Sequence, residues 1–401
     1  MSHDSIGLQA FAISVPDQVV TNDAWRQQHS NLVDVAEKKL WMWQQKQAEK
    51  EARGEASAPN IYSRAKAPYM NDPFCGTKQR RCLRPGERVL DLELDAVDKA
   101  LKAAELTLDD IDLIISTVFP SQEFGLGGAA FLARALDYKG AAWNLESACA
   151  SGTIAWQTAK SLIATHQHER VLVVTSCLYS NATPMEDPLS WGVGDATLCA
   201  IIGRVPEGEG ILSGYNLNTG STCGAIFYDI DQRENGDPYY RLKTNDAAAK
   251  AIKDVTVDYV RKVCQGAVER AGMTLADVDC FAFTTPLAWS APFFAEVLGV
   301  PPERTINTFP LYANIGPAGA GMNLFHAAAW SKIKPGMNVC VYSPGSVASC
   351  AAVVMRWGNV ALGAMPEGID EALLDRLLAE GPDPGIEAAP AEVAAAAAAT
   401  A

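Results

Sequence analysis

No stretch of this 401-residue sequence has the apolar length of ~20 residues that a bilayer-spanning helix requires, so no membrane span is expected. Histidine is scarce. The five present are His3, His29, His166, His168 and His326, and none stands at a metal-ligand spacing from the ten cysteines. Those cysteines form no Cys-x-x-Cys pair, which argues against a zinc site, so no metal is expected, and against a small disulfide scaffold. Positive charge is also short. Lys and Arg total 33 against 47 Asp and Glu, a net charge of −14, which excludes general nucleic-acid binding. The opening Met1–Ser5 has neither a basic nor an apolar region. The expectation is therefore no signal peptide and a cytoplasmic protein with reduced thiols.

Hydrophobic residues make up 48% and charged residues 20%, a globular balance in a chain too long for one ordinary core. The sequence carries a weak internal duplication. Ala104–Ile115 runs from a helix end through Thr107-Leu108-Asp109-Asp110-Ile111-Asp112 into an apolar strand, and Ala271–Ala282 repeats this through Thr274-Leu275-Ala276-Asp277-Val278-Asp279. Arg170–Thr175 and Met337–Tyr342 form a second matching pair of strands, each after a helix. Near-continuous apolar strands alternating with helices predict an α/β protein whose sheets are covered on both faces.

The other expected elements follow the same alternation. Helices are expected near 33–53, 90–105, 127–136, 150–164, 247–271, 292–298 and 319–331, and strands near 8–14, 111–118, 171–177, 192–203, 278–284, 339–343 and 350–356. Residues 54–73 read as loop. The tail beyond a short amphipathic helix at 368–380 is rich in Pro and Ala and reads as disordered. Trp41-Met42-Trp43, inside the first long helix, reads best as a stripe packed on the body, with a lid or a partner surface as alternatives. Lys78, Arg80, Arg81, Arg84 and Arg88 read either as a docking patch for a phosphate-bearing or acidic partner or as a solvated basic turn.

Cys149 is the residue with the most chemistry. It sits in Ser147-Ala148-Cys149-Ala150-Ser151-Gly152, between the apolar run Ala141–Trp143 and a helical segment. A thiol at a strand-to-helix junction lies beside the positive end of a helix dipole, which favours thiolate and suits a nucleophile that carries an acyl group as a thioester. The alternative is a small buried core residue.

At this point the chain resembles the thiolase superfamily, in particular its β-ketoacyl-ACP synthase III branch of the natural-product type. The resemblance covers about 8–357, with an insertion at about 33–71, and five motifs carry it in order. These are Lys78-Gln79-Arg80-Arg81 running on to Pro85-Gly86-Glu87, the Cys149 turn, Gly192-Val193-Gly194-Asp195-Ala196, Tyr312-Ala313-Asn314-Ile315-Gly316, and Ser349–Trp357. The resemblance implies a thiolase-like fold of duplicated α/β halves in an α-β-α-β-α layering, with halves at 1–208 and 209–358 and a tail at 359–401. It also implies a homodimer, no bound cofactor, and CoA or phosphopantetheine thioesters (acyl-CoA or acyl carrier protein) as substrates.

By position, the resemblance makes Cys149 the nucleophile and Asn314 the assisting asparagine. The backbone of Cys149 and of Ser346 or Val347 would form the oxyanion site. Phe119, Pro286, Trp289, Arg80 and Arg81 are candidate substrate contacts, and Glu123 a candidate base. The family's histidine falls on Pro286, which has no proton to give or take. Losing one oxyanion donor typically costs about 10²–10³ in rate, so the expected reaction is acyl transfer or condensation onto an acceptor that needs no decarboxylation. The alternatives are a non-catalytic partner subunit and a decarboxylative synthase rebuilt around Asn314 and Glu123. His326, about three turns along the helix after Asn314, reads as structural, and His166 and His168 as surface residues ~25 Å from Cys149.

Overall fold

The computed structural model describes residues 5–55, 58–121, 123, 125–233, 235–345 and 349–383. The predicted disordered tail and both Ser346 and Val347 lie outside the described residues. Two sheets organise the molecule. The first has the spatial order Ala361–Leu362, Ile6–Ser14, Asp195–Arg204, Val171–Leu178, Leu113–Phe119, Ala141–Asn144. The second runs Thr305–Ile306, Cys280–Phe283, Asn338–Ser343, Ser349–Arg356, Gly210–Asn218.

The duplication read from the sequence is physical. Leu113–Phe119 lies parallel to Val171–Leu178, which pairs antiparallel with Asp195–Arg204 and through it reaches Ile6–Ser14. Cys280–Phe283, Asn338–Ser343, Ser349–Arg356 and Gly210–Asn218 repeat that arrangement. The two Thr-Leu turns also share their hydrogen bonds. Thr107 and Thr274 donate backbone N–H to Asp110 and Asp277 at 2.9 and 2.8 Å. Asp112 and Asp279 then donate N–H to the carbonyls of Arg170 and Asn338 at 3.1 and 2.8 Å, starting each parallel pair.

Five layers result. Helices Ser151–Ala164 and Gly319–Ala329 are enclosed between the sheets; Trp156 and Phe325 pack edge-on against Phe11 of the first sheet at 5.7 and 6.0 Å. Val89–Ala104 and Gly128–Ala135 cover the outer face of the first sheet, and Ala248–Arg270 and Ser290–Leu298 that of the second. A helix caught between two sheets can bring its backbone close only where side chains are small. A Cβ on Gly321 would come within 2.4 Å of Leu198.

Three elements depart from the sequence reading. Strand Gly210–Asn218 and the hairpin Ile226–Gln232/Pro238–Thr244 occupy a stretch with no predicted regular structure. The hairpin is exposed along much of both strands, so its apolar alternation is diluted by Asp229, Asp231, Arg241 and Lys243. The presumed loop at 54–73 holds a helix, Ile61–Lys66, and a turn, Ala67–Tyr69, seated on Trp289. The long helix is present as Ser30–Ala52, but only Val33 in it is buried. Met42 and Trp43 are 51% and 42% exposed, which corrects the reading of a stripe packed on the body.

The basic segment divides: Arg80 and Arg81 turn inward, while Arg84 and Arg88 stay exposed. Arg80 is fully buried, donating to the Trp191 and Val20 carbonyls and to Asn22 Oδ1, with its guanidinium over the rings of Trp25 and Phe74. Burial lowers its pKa to about 9. Arg81 is buried and donates to the Pro16 carbonyl; Lys78, Arg84 and Arg88 pair with Asp383, Glu87 and Asp91. Arg80 and Arg81 are therefore withdrawn as substrate contacts. Their charge is turned into the fold, that of Arg80 against three acceptors and that of Arg81 against the Pro16 carbonyl.

Glu93 offers a test of the first sheet's packing. It is 2% exposed, accepts from Ser176 Oγ at 2.8 Å, and is raised by burial to about 7. Its folded pKa lies above the ordinary 4.5, so its neutral form stabilises the fold fully below that pH and the benefit is lost as pH rises through 7. Denaturant unfolding at pH 5 and pH 8 should show Glu93→Gln removing about 2–3 kcal/mol of the wild type's decline across that interval.

Candidate functional site

Cys149 sits on a turn that its neighbours hold open. Ala148 adopts φ +50°, and the turn Ala148–Ala150 leads into the helix Ser151–Ala164. Ser151 Oγ accepts the Ser147 N–H and donates to the Ala148 carbonyl, both at 2.7 Å. Ser147 Oγ is hydrogen-bonded to Ser349 Oγ at the start of a second-sheet strand. One turn into the helix, Thr153 Oγ1 bonds Ser343 Oγ at 2.7 Å, and Thr284 Oγ1 donates to the same oxygen. The cysteine turn is thus tied to the second sheet, with Cys149 half-buried at the mouth of an interior helix.

Its electrostatics correct the sequence reading. Burial raises the Cys149 pKa above the ordinary thiol value. A helix N-terminus is worth ~0.3–1 kcal/mol, less than burying a charge costs. One group works the other way. Tyr179 Oη lies 3.7 Å from Cys149 Sγ, and its hydrogen bond lowers the thiol's pKa. Tyr179 was missed in the sequence. The available signal was its position directly after the buried strand Val171–Leu178, at the carboxyl end of a parallel pair, where α/β proteins place their sites.

The Gly-Val-Gly-Asp-Ala and Tyr-Ala-Asn motifs meet. The Asn314 N–H donates to the Gly192 carbonyl at 2.9 Å, and the Gly194 N–H donates to the Asn314 carbonyl at 3.0 Å. A Cβ on Gly194 would lie 2.4 Å from the Tyr312 carbonyl oxygen, so only glycine permits this approach. Asp195 is buried and accepts from the N–H groups of Leu83 and Ser180, fixing the turn that carries Tyr179. Asn314 Oδ1 accepts the Gly316 N–H at 2.9 Å, which leaves its Nδ2 without a hydrogen bond among the described residues. The turn Gly316–Ala318 packs against the Cys149 turn.

The remaining candidates are placed as follows. Phe119 packs edge-on against Tyr179 at 5.8 Å, which puts it beside the cysteine. Glu123 lies on the loop beyond it, and no contact among the described residues joins its carboxylate to Cys149. Pro286 is half-buried after the strand Cys280–Phe283, likewise with no described contact to Cys149. Trp289 is 3% exposed and faces Tyr62 and Tyr69, so it anchors the insertion instead of lining the cysteine. His326 is buried, bonded to Tyr312 Oη at 2.7 Å, stacked near Trp330, and lowered by burial to about 3. It stays neutral. His166 and His168 contact Arg204 and Asp112 away from the site. No group of three or more His, Cys, Asp or Glu residues suited to a metal ion occurs among the described residues.

Two outcomes test this geometry. Ala313 holds φ +58° with ψ −154°, a region that favours glycine, so Ala313→Gly should stabilise the protein by about 1 kcal/mol in denaturant unfolding. Tyr179→Phe removes the hydrogen bond to the sulfur. Alkylation of Cys149 by iodoacetamide should then be about tenfold slower at neutral pH, with the rate still climbing at pH values where wild type has levelled off.

Comparison with known proteins agrees with the geometry. Residues 143–220 match the 3-oxoacyl-[acyl-carrier-protein] synthase III family and residues 268–357 match its C-terminal counterpart. The β-ketoacyl-[acyl-carrier-protein] synthase III of Listeria monocytogenes serotype 1/2a (strain 10403S) is 27% identical over 289 residues, covering 71% of this chain and 88% of that protein. The crystal structure of the Thermus thermophilus synthase III superposes with a TM-score of 0.71 at 22% identity, over 89% of this chain and all of that one. The priming β-ketosynthase of the R1128 polyketide biosynthetic pathway gives 0.69 at 18% identity, covering 89% and 97%. The chain thus matches the 3-oxoacyl-[acyl-carrier-protein] synthase III family in two segments, one in each half, and has the fold of its solved structures.

Proposed function

We propose that this protein is an acyltransferase or condensing enzyme that loads an acyl group onto Cys149 and passes it to a second substrate in secondary-metabolite, polyketide-like biosynthesis. The observation that carries this reading is the half-buried Cys149 thiol on its constrained turn, with the Tyr179 hydroxyl at its sulfur and the Asn314–Ala318 turn against it. In loading, the sulfur attacks the carbonyl of acyl-CoA or acyl carrier protein, the new C–S bond forms, the donor's C–S bond breaks, and the donor leaves as a free thiol. The Cys149 backbone N–H supplies one oxyanion donor, with the second assigned to Ser346 or Val347. Asn314, whose Nδ2 has no hydrogen bond among the described residues, serves the acceptor step, and Glu123 is the candidate base. No bound cofactor is required.

The likeness to a polyketide priming ketosynthase supports the pathway class. The outer edge of strand Ala141–Asn144 is unpaired among the described residues and Trp143 beside it is exposed, which supports a homodimer joined at this edge. No helix among the described residues is long and apolar enough to cross a membrane.

A second reading, a non-catalytic partner subunit, draws on the raised thiol pKa and on Pro286. Intact-mass spectrometry separates the two. Incubation with acyl-CoA or acyl carrier protein should add one acyl mass, and Cys149→Ala should abolish it. Wild-type protein left unlabelled by every donor would establish the partner-subunit reading instead.

A further inference from the structure

Tyr179 stands at the Cys149 sulfur, and Phe119 and then Tyr228 follow it in ring-to-ring contact. Phe119 lies between Tyr179 and Tyr228, in edge-on contact with both, at 5.8 Å and 84° and at 5.4 Å and 78°. Tyr179 is 5% exposed and is backed on its other side by Gly316, where even a Cβ would come within 3.3 Å of its ring. Gly316 has φ +47° and also faces Cys177 Sγ, so this wall is closed. The hydroxyls of the two tyrosines differ. That of Tyr179 meets Cys149 Sγ at 3.7 Å, whereas that of Tyr228 is buried with no hydrogen-bond partner among the described residues. Tyr228 joins the cluster through its ring contact with Phe119. It comes from the hairpin strand Ile226–Gln232, absent from the sequence reading.

An orphaned buried hydroxyl costs about 1–3 kcal/mol unless something bonds to it. We infer that Phe119, Tyr179 and Tyr228 form an acyl-recognition wall, and that Cys149 accepts short acyl groups bearing a neutral oxygen, a hydroxyl or keto group, which bonds to Tyr228 Oη. This rests on the acyl-loading reading above. The size limit follows from the packed rings, since threading a long chain among them means displacing close-packed groups. The polarity follows from the free phenol, because a site built to bond a substrate oxygen disfavours the analogue lacking it. The three side chains bring no charge, so a neutral oxygen suits them better than a carboxylate. The covalent step is unchanged: acyl-CoA plus Cys149 thiol gives the Cys149 thioester plus free CoA thiol.

The experiment is a time course of Cys149 acylation by intact mass, using acetyl-, butyryl-, 3-hydroxybutyryl- and octanoyl-CoA on the full chain. Acetyl and 3-hydroxybutyryl groups should load about tenfold or more faster than octanoyl. 3-Hydroxybutyryl should outpace butyryl, and Tyr228→Phe should cut that ratio by about 3- to 10-fold. Phe119→Ala should raise octanoyl loading, which a fold defect would not do. Octanoyl loading as fast as acetyl would overturn the inference, placing the chain instead in the neighbouring cleft of about 440 Å³ lined by Pro120, Asn181, Ala182 and Ile230. An unchanged ratio in Tyr228→Phe would overturn the role of the phenol while acylation itself stood. Failure of every donor on wild type would remove the acyl-loading reading as well.

Discussion

Two backbone hydrogen bonds join the duplicated halves where the chemistry is placed, those by which Asn314 pairs with Gly192 and Gly194. They form a single bridge between chain segments more than a hundred residues apart, and most of the site depends on it. The bridge seats the Asn314–Ala318 turn against the Cys149 turn and brings Gly316 onto Tyr179. Asp195, the residue after Gly194, then fixes Ser180 and so aims Tyr179 at the sulfur. Each is an ordinary hydrogen bond, worth about 1 kcal/mol net, but each buried group would cost more if left unpaired. The bridge therefore acts less as glue than as a register mark for two separately built sheets.

Burial sets the character of the groups around the sulfur. Desolvation raises the Cys149 thiol pKa, and the Tyr179 hydrogen bond works against it. The same holds nearby. Cys177 and both tyrosines are held well above their ordinary values by burial, and His326 is kept neutral by it. Such an enclosure disfavours free charge but strengthens each hydrogen bond aimed at a developing oxyanion. Activation of the sulfur thus falls to a specific neighbour, Tyr179, instead of to a general field.

Around this centre the chain adds parts whose roles are mechanical. Arg80 gathers Trp25, Phe74, Trp191 and Asn22 into a small satellite core beneath the insertion. Asp383 reaches back to Lys78 and Asn22, tying the segment after the last helix to the same place. Tyr62 and Tyr69 lay the insertion over Trp289. The hairpin does the opposite service, bringing Tyr228 inward to Phe119.

The sequence by itself determined the alternation of apolar strands and helices, the duplicated Thr-Leu turns, and Cys149 at a strand-to-helix junction. These are local matters of side-chain period and turn chemistry, and the same Asp side chains that spell the turns also make their hydrogen bonds. Only the tertiary structure decided what surrounds the sulfur. Arg80 and Trp289 read as contact residues because arginine and tryptophan suit ligands, but burial is a property of the assembled layers and turned both inward. Tyr179 and Tyr228 carried no motif at all. They matter because the fold brings residues from separate strands together, Tyr179 to the sulfur and Tyr228 to Phe119, and burial there raises the Cys149 thiol pKa.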